Sequence, residues 1–465
     1  MKLIHYIVVM TALFTSCNYL DVEPVGKVIP DEVSEYRALL TTAYSRFPQH
    51  KKLLTVRGDE VGPGMISITY DAWIDIVTWN DESPDPVTYT FPWTQMYNVI
   101  FYANSVIEDV MDAGIDDRTE TREQLKGEAL LLRAYAHFEL LNLYAKPYDA
   151  VTATSERGVP LYLTIDINQE FKPVSIEKVY EQILSDIEEG EKLMTVEEQP
   201  AETRYRFSKK SAKALEARVR LYRGEWDKAL AAAKEILPSC PLEDLTVDGF
   251  SAPYLYTSKE SILALEQTGN TEITDDMEML SNIMDKYNQS EDLRVNLYYR
   301  YGSSPNKCYD ASMKITFRSA EIYLIAAEAA AHISESLPDA KSFLKTLIKT
   351  RLSASYYAER EGEIDAMSQA ELIAEIADER ARELALEGHR WYDLRRTTRP
   401  EIVKTYWNKN FEQETVTLPA NSAKYTLPFP TEAITNNPNL NEWGKSLCGF
   451  IVNIIKDNLY VTRLI

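Results

Sequence analysis

The charged run from residue 379 to residue 396 limits the possible folds of this chain more than any other segment. Beginning just before this run, every fourth residue is a glutamate. On a helix this spacing places four carboxylates on one stripe: Glu375, Glu379, Glu383 and Glu387. Stacked carboxylates repel one another, so a helix keeps them only where cations lie alongside. Arg380, Arg382 and Arg390 are close enough in sequence to supply those cations.

Gly388 marks a break in this pattern. Glycine tolerates the backbone conformations of a sharp turn, and a second apolar set, Trp391 and Leu394, resumes directly after it. We therefore predict a helix over Leu372–Glu387, a glycine corner and a short helix over His389–Arg396. On this interpretation the charges form ion pairs that brace the fold, and they are not an active site.

Helical periodicity recurs along most of the chain. Six more helices are predicted at Val33–Tyr44, Met96–Val110, Leu125–Tyr144, Ile176–Met194, Lys209–Tyr222 and Asp227–Ile236. Ser175 and Ser208 each precede one of these helices and are expected to act as N-caps.

The segment Ala212–Pro241 resembles a tetratricopeptide repeat, with small residues at Ala217 and Ala229 where two helices must approach closely. Three further pairs look like degenerate copies: Leu125–Tyr144 with Ser175–Met194, Phe317–His332 with Pro338–Arg351, and Leu372–Glu387 with His389–Arg396. The predicted fold class is mainly α, a tetratricopeptide-repeat-like helical scaffold with four degenerate units and a loop-rich ligand-binding face.

Two long segments lack a helical period and are expected to form that face. Gly58–Pro92 is rich in Gly, Pro, Asp, Asn and aromatic residues, and Pro238–Tyr309 mixes turns with the strand-like runs Ser261–Glu266 and Val295–Tyr301. Loops on a rigid scaffold commonly carry binding sites.

The N-terminus has the pattern of a secretory signal. Lys2 is followed by the apolar stretch Leu3–Phe14 and by Thr15-Ser16-Cys17. The apolar stretch is shorter than the roughly 20 residues that span a bilayer as a helix. Leu13–Cys17 resembles a lipobox, so we predict cleavage before Cys17 and lipidation of that cysteine; the alternative is an ordinary secretory signal with a chance cysteine.

Composition excludes some partners. The chain has 465 residues and a net charge of −22, which disfavours nucleic acid and anionic lipid headgroups as partners. The other three cysteines are far apart in sequence and indicate neither a disulfide framework nor a metal site: Cys240, Cys308 and Cys448.

The charged run is also similar to the C-terminal signature of the SusD/RagB family of nutrient-binding outer-membrane lipoproteins. Four steps match: Glu379-Arg380, Glu383-Leu384, Glu387-Gly388-His389-Arg390 and Asp393-Leu394-Arg395-Arg396. The resemblance covers most of the chain. It implies an oligosaccharide ligand, a SusC-like TonB-dependent transporter β-barrel as partner, and a lipid anchor in the outer membrane at the cell surface. It implies neither enzymatic activity nor a cofactor.

The resemblance also suggests boundaries. We predict a lipoprotein signal peptide over residues 1–16 and a SusD-like domain over residues 17–444, with an N-terminal part to about residue 310 and a C-terminal part from about residue 311. Residues 445–465 depart from the family pattern, because members typically end soon after an Asn-Pro-Gly-Tyr-like turn.

Aromatic and polar residues alternate between residues 70 and 93, as expected of a sugar-binding loop. Aromatic faces stack on the apolar side of a sugar ring, while carboxylates and amides bind its hydroxyls. The predicted stacking platforms are Trp79, Trp73 and Tyr70, and the predicted polar rim is Asn80, Asp81 and Asp71. For Trp73 and Tyr70, packing in the core is slightly favoured over stacking on a ligand. For Trp79, the two roles are about equally favoured.

A second tyrosine cluster spans residues 298–301. On a strand, Tyr299 and Tyr301 would share one face. The resemblance to the SusD/RagB family implies that this central region completes the ligand groove. A half-buried structural strand is the favoured alternative.

Other functional classes leave weaker signals. The histidines form no metal-binding spacing, and no nucleophile elbow, phosphate-binding loop or dinucleotide fingerprint is present. Because the chain has many acidic residues, their number alone does not exclude the pair of catalytic carboxylates that a glycosidase uses. Peptide uptake, a helical adaptor without a transport role, and a hydrolase therefore stay as alternatives to glycan capture.

Overall fold

The computed structural model describes residues 30–443, apart from residues 65–69, 116–119, 167, 170, 302 and 409. Helices dominate this part of the chain, which confirms the mainly α prediction. The predictions for residues 1–16, Cys17, Cys448 and residues 445–465 lie outside the described residues. Among the described helices, none is both long enough and apolar enough to cross a membrane.

The helices are α1 (Val33–Ser45), α2 (Lys51–Arg57), α3 (Tyr70–Val77), α4 (Thr94–Asp109), α5 (Arg122–Tyr144), α6 (Ile176–Leu193), α7 (Lys209–Tyr222), α8 (Trp226–Ile236), α9 (Thr271–Asp276), α10 (Ser281–Met284), α11 (Arg294–Tyr298), α12 (Ser319–Ala331), α13 (Leu337–Ile348), α14 (Ala354–Ala366), α15 (Gln369–Glu383), α16 (Arg390–Arg396) and α17 (Thr431–Asn436). The strands are β1 (Val61–Pro63), β2 (Arg157–Pro160), β3 (Pro173–Ser175), β4 (Ser261–Leu263), β5 (Met277–Met279), β6 (Phe317–Arg318), β7 (Ile402–Trp407) and β8 (Gln413–Leu418). They pair antiparallel as β1–β5, β2–β3, β4–β6 and β7–β8.

The four helix pairs predicted from the sequence are all in contact: α5 with α6, α7 with α8, α12 with α13, and α15 with α16. Close approach explains Gly127 and Gly190, because a Cβ on Gly127 would lie 2.7 Å from the carbonyl oxygen of Gly190. The predicted caps are also present, since Ser175 and Ser208 accept hydrogen bonds from backbone N–H groups at the starts of α6 and α7. That these pairs are tetratricopeptide repeats stays a prediction.

The loop-rich segments contain more regular structure than expected. Gly58–Pro92 includes β1 and α3, and the short apolar face of α3 packs into a second core through Trp73, Ile76 and Val77. The prediction of a strand at Val295–Tyr301 is wrong, because this run begins with α11 and continues into a turn. The strand predicted within Ser261–Glu266 is present as β4.

In the charged corner, residues 379–396, carboxylates pair with cations from the same helix and from distant segments. Arg382 pairs with Glu375 and Glu379 as predicted. Glu387 instead pairs with Lys307 and Arg318, at 2.5 and 2.8 Å. All of these side chains are largely buried, so the corner is an internal ion-pair network.

The turn within the corner begins earlier than predicted. Helix α15 ends at Glu383, and both Leu386 and Gly388 have positive φ, at 65° and 76°. A Cβ on Gly388 would lie 2.8 Å from the Cβ of Lys51, so glycine is required there for space as well as for conformation. Ending the helix early turns the Glu387 carboxylate towards its distant cations.

Replacing Arg390 by Ala should destabilise the fold by about 1–3 kcal/mol without a selective loss of ligand binding. Its guanidinium donates to both oxygens of Asp59, at 2.8 and 2.9 Å, and truncation would leave a largely buried carboxylate without its cation. Chemical denaturation, combined with a binding assay on the folded fraction, would check this. Unchanged stability with binding lost would contradict the bracing role.

Candidate functional site

The two tryptophans predicted as stacking platforms belong to the core. Trp73 and Trp79 are 0% and 1% exposed. Trp73 packs edge-on against Tyr89, with ring centroids 4.6 Å apart, and the Trp79 indole N–H donates to the carbonyl of Arg57 at 3.1 Å. A buried ring has no free face for a sugar, so the prediction that these side chains stack on ligand is corrected.

The predicted polar rim is mostly engaged within the protein. Asn80 donates to a carboxylate oxygen of Asp75 at 2.8 Å, and Asp81 accepts two hydrogen bonds from Arg57, at 2.8 and 2.6 Å. These contacts shape the loop after α3 and explain its polar residues. Asp71, in the first turn of α3, is exposed. The side chain of Tyr70 lies outside the described part of the structure.

The second tyrosine cluster is split between the core and the surface. Tyr299 is 4% exposed, and its hydroxyl lies 2.8 Å from that of Tyr287, so it is not a ligand-facing residue. Tyr301 is 98% exposed at the tip of a turn closed by backbone pairing of Arg300 with Ser304. Its φ of 50° is uncommon for an aromatic residue, and such strain is often stored at functional sites. The shared face predicted for Tyr299 and Tyr301 is therefore wrong.

Three tyrosines on separate loops are tied to one segment, Thr271–Met279. Tyr89 donates its hydroxyl to Glu272 at 2.8 Å. The turn of Tyr301 is fixed by a 2.9 Å hydrogen bond from the N–H of Met279 to the carbonyl of Ser303. Tyr309, which is 60% exposed, lies on a short 3-10 helix that packs against α9. We call Tyr89, Tyr301, Tyr309 and Glu272 the tyrosine face.

The chemistry of the tyrosine face suits an uncharged polar ligand. Burial and the hydrogen bond to Glu272 raise the pKa of Tyr89 to about 12, so its hydroxyl stays neutral. The exposed residue Asp71 is the chain neighbour of Ala72, whose carbonyl accepts a hydrogen bond from the N–H of Tyr89 at 3.0 Å. Glu272 lies in the predicted loop-rich segment Pro238–Tyr309, but only the folded structure places its carboxylate beside Tyr89.

One buried trio among the described residues has donor atoms close enough to hold a metal ion, namely His50, Glu139 and Glu266. Glu139 already accepts hydrogen bonds at one oxygen from His50, Lys51 and Tyr392, at 2.8, 2.7 and 3.0 Å. The Lys51 ammonium therefore supplies the cation in this cluster. We interpret it as an internal ion pair that links α2 to α5.

The chain is similar to known protein families along most of its length. A model described as "Starch-binding associating with outer membrane" matches residues 18–221, and a model described as "SusD family" matches residues 258–443. Two curated relatives come from Formosa agariphila. SusD-like protein P38 is 25% identical, covering 69% of this chain and 74% of the relative. SusD-like protein P2 is 24% identical, covering 93% and 97%.

Solved structures give the same picture of the fold. A SusD superfamily protein from Bacteroides fragilis aligns with a TM-score of 0.73 and 25% identity, covering 89% of this chain and all of its own. A laminarin-binding SusD-like protein aligns with a TM-score of 0.56 and 20% identity, covering 79% of this chain and 92% of its own.

Proposed function

The chain belongs to the SusD/RagB family, and from that premise we propose that it is a cell-surface glycan-binding lipoprotein. It captures an oligosaccharide and delivers it to a SusC-like TonB-dependent transporter in the outer membrane. Lipidation of Cys17 anchors it there. The family description that matches residues 18–221 names starch binding and the outer membrane, which supports this reading. The proposed activity is binding without catalysis.

The observation that carries the proposal is the tyrosine face. Tyr301 and Tyr309 are large aromatic side chains exposed to solvent, and the loops that bear them are hydrogen-bonded or packed to one short segment. Exposed tyrosines offer both a flat apolar face and a hydroxyl, which are the two features that a sugar ring matches. Asp71 and Glu272 supply carboxylates for its hydroxyl groups.

Replacing both Tyr301 and Tyr309 by Ala is expected to weaken glycan binding roughly 5- to 100-fold, at about 0.5–1.5 kcal/mol per aromatic contact. Affinity electrophoresis against neutral polysaccharides, starting with laminarin and starch, would identify a ligand, and calorimetry with its oligomers would measure the loss. Because both side chains are exposed, the free energy of unfolding should change little.

The matched control is Phe101→Ala, which removes another exposed aromatic side chain, on α4. It should leave glycan affinity unchanged. Equal affinities of the double variant and the wild type would reject the tyrosine face as the site. Binding of peptides but of no glycan would redirect the proposal to peptide uptake.

A further inference from the structure

One concavity of the structure shares no lining residue with the tyrosine face. It is a cleft of about 760 Å³ between the end of α5, the segment before β2 and residues 421–428. A 3.0 Å hydrogen bond from the N–H of Leu427 to the carbonyl of Leu143 holds these segments together. Four basic side chains line it, and we call it the basic cleft: Lys146, Arg157, Arg399 and Lys424.

Arg157 is the central cation of this cleft. Its half-buried guanidinium lies 3.9 Å from the centre of the Phe429 ring and donates to the carbonyl of Tyr144 at 3.4 Å. Among the described residues no carboxylate pairs with it. Half-buried Arg223, by contrast, pairs with Glu177 and Glu225. The chain has 72 acidic residues, yet none in the described part of the structure serves as a counter-ion for this guanidinium.

Arg399, the second cation of the cleft, lies on a strained stretch of backbone. Arg399 and Asn421 both have positive φ, at 41° and 57°, and the N–H of Asn421 binds the carbonyl of Arg399 at 2.9 Å. The Arg399 Nε donates to the side-chain oxygen of Asn421 at 3.1 Å. Its two terminal nitrogens have no partner in the described part of the chain. Backbone strain of this kind persists only where the surroundings impose it, and it often marks ligand sites.

The acidic residues that line the cleft mostly have hydrogen-bond or ion-pair partners of their own. Asp81 is paired with Arg57, Glu156 with Lys146 at 2.8 Å, and Asp149 accepts the N–H of Val151 at 2.8 Å. Glu82 remains on the rim and is exposed. Within the described residues Arg157, Arg399 and Lys424 therefore stand as cations without an ion-pair partner.

We infer that the basic cleft binds an anionic group, a carboxylate or a sulfate, carried by an oligosaccharide. A guanidinium binds either group through paired N–H donors. Pro428, which is exposed, gives the cleft an apolar surface against which a sugar ring can pack. The sugar component of this ligand rests on the proposed function. The anionic component rests on the three unpaired cations.

Affinity electrophoresis of the full chain in gels containing polygalacturonate, κ-carrageenan or neutral laminarin tests the inference. The wild type should be retained by at least one acidic polymer, and the polymer that retains it tells carboxylate from sulfate. Arg157→Gln and Arg399→Gln should each weaken that retention roughly tenfold or more, as expected for a charge-assisted hydrogen bond. Raising the salt concentration should also weaken the retention of the wild type.

Lys228→Gln is the control, because it removes an equal charge from an exposed position on α8. Lys424→Gln, on the exposed rim, keeps the test available if an arginine variant does not fold. Retention by neither acidic polymer, or retention that these variants leave unchanged, overturns the inference. Binding of a neutral glycan that depends on Tyr301 and Tyr309 but not on Arg157 would uphold the proposed function alone.

Discussion

Replacing Glu383 by Gln is expected to lower the free energy of unfolding by about 3–5 kcal/mol. The buried carboxylate accepts hydrogen bonds from three guanidinium groups, at 2.9, 2.6 and 3.0 Å: those of Arg294, Arg318 and Arg351. Gln keeps the size of the side chain but removes its charge. Three buried cations would then lose a shared counter-ion, and water cannot replace it.

Urea denaturation followed by circular dichroism would measure this loss. The matched control is Glu363→Gln on α14, where a more exposed carboxylate pairs with Arg360. Exposed pairs contribute less than about 1 kcal/mol. Equal midpoints and slopes for the two variants would mean that the network is not needed for stability.

The pH dependence of the free energy of unfolding, compared between the wild type and Glu383→Gln, gives a second readout. Burial alone would raise the pKa of Glu383, but the surrounding guanidinium groups hold it well below its usual range. A depressed pKa stabilises the folded state above the ordinary pKa, and the contribution disappears as the pH falls through the folded-state value. The stability difference between wild type and Glu383→Gln should therefore narrow on strong acidification.

Replacing Trp79 by Ala is expected to cost about 3–5 kcal/mol of stability, as for other large-to-small changes in a core. The side chain is 1% exposed, and it packs in the main core. Truncation also leaves the carbonyl of Arg57 without the indole N–H, and the Lys404 ammonium without the ring that lies 5.3 Å away. Chemical denaturation would measure the loss.

A binding assay on the folded fraction separates this role from ligand contact. We expect folded Trp79→Ala protein to keep its glycan affinity, while the Tyr301 and Tyr309 double variant loses affinity and keeps its stability. The reverse result, with intact stability and lost binding, would restore Trp79 as a stacking platform.

Local patterns predicted the helices of the scaffold well. The helix expected at Val33–Tyr44 is α1, and the helix expected at Lys209–Tyr222 matches α7 with its serine cap. The apolar residues of these helices repeat over three or more turns, and each capping hydrogen bond joins residues that are close in sequence. Two of the three thiols expected to be unpaired, Cys240 and Cys308, are free and buried.

Short elements were harder to predict. Helix α3 has only eight residues, and it is surrounded by Gly, Pro and Asp, so its periodicity was too brief to identify. Its helical form places Trp73, Ile76 and Val77 in the second core. The same residues on an exposed loop would have supported a sugar site, and composition does not distinguish the two environments.

The sequence by itself determined the helical scaffold, the family and the position of the charged corner, because each is encoded in neighbouring residues. Only the tertiary structure decided which cations reach Glu383 and Glu387, since Arg294, Lys307, Arg318 and Arg351 come from distant segments. It likewise buried Trp79 and exposed Tyr301. Whether a side chain faces solvent depends on which segments pack over it, and that is a property of the folded chain.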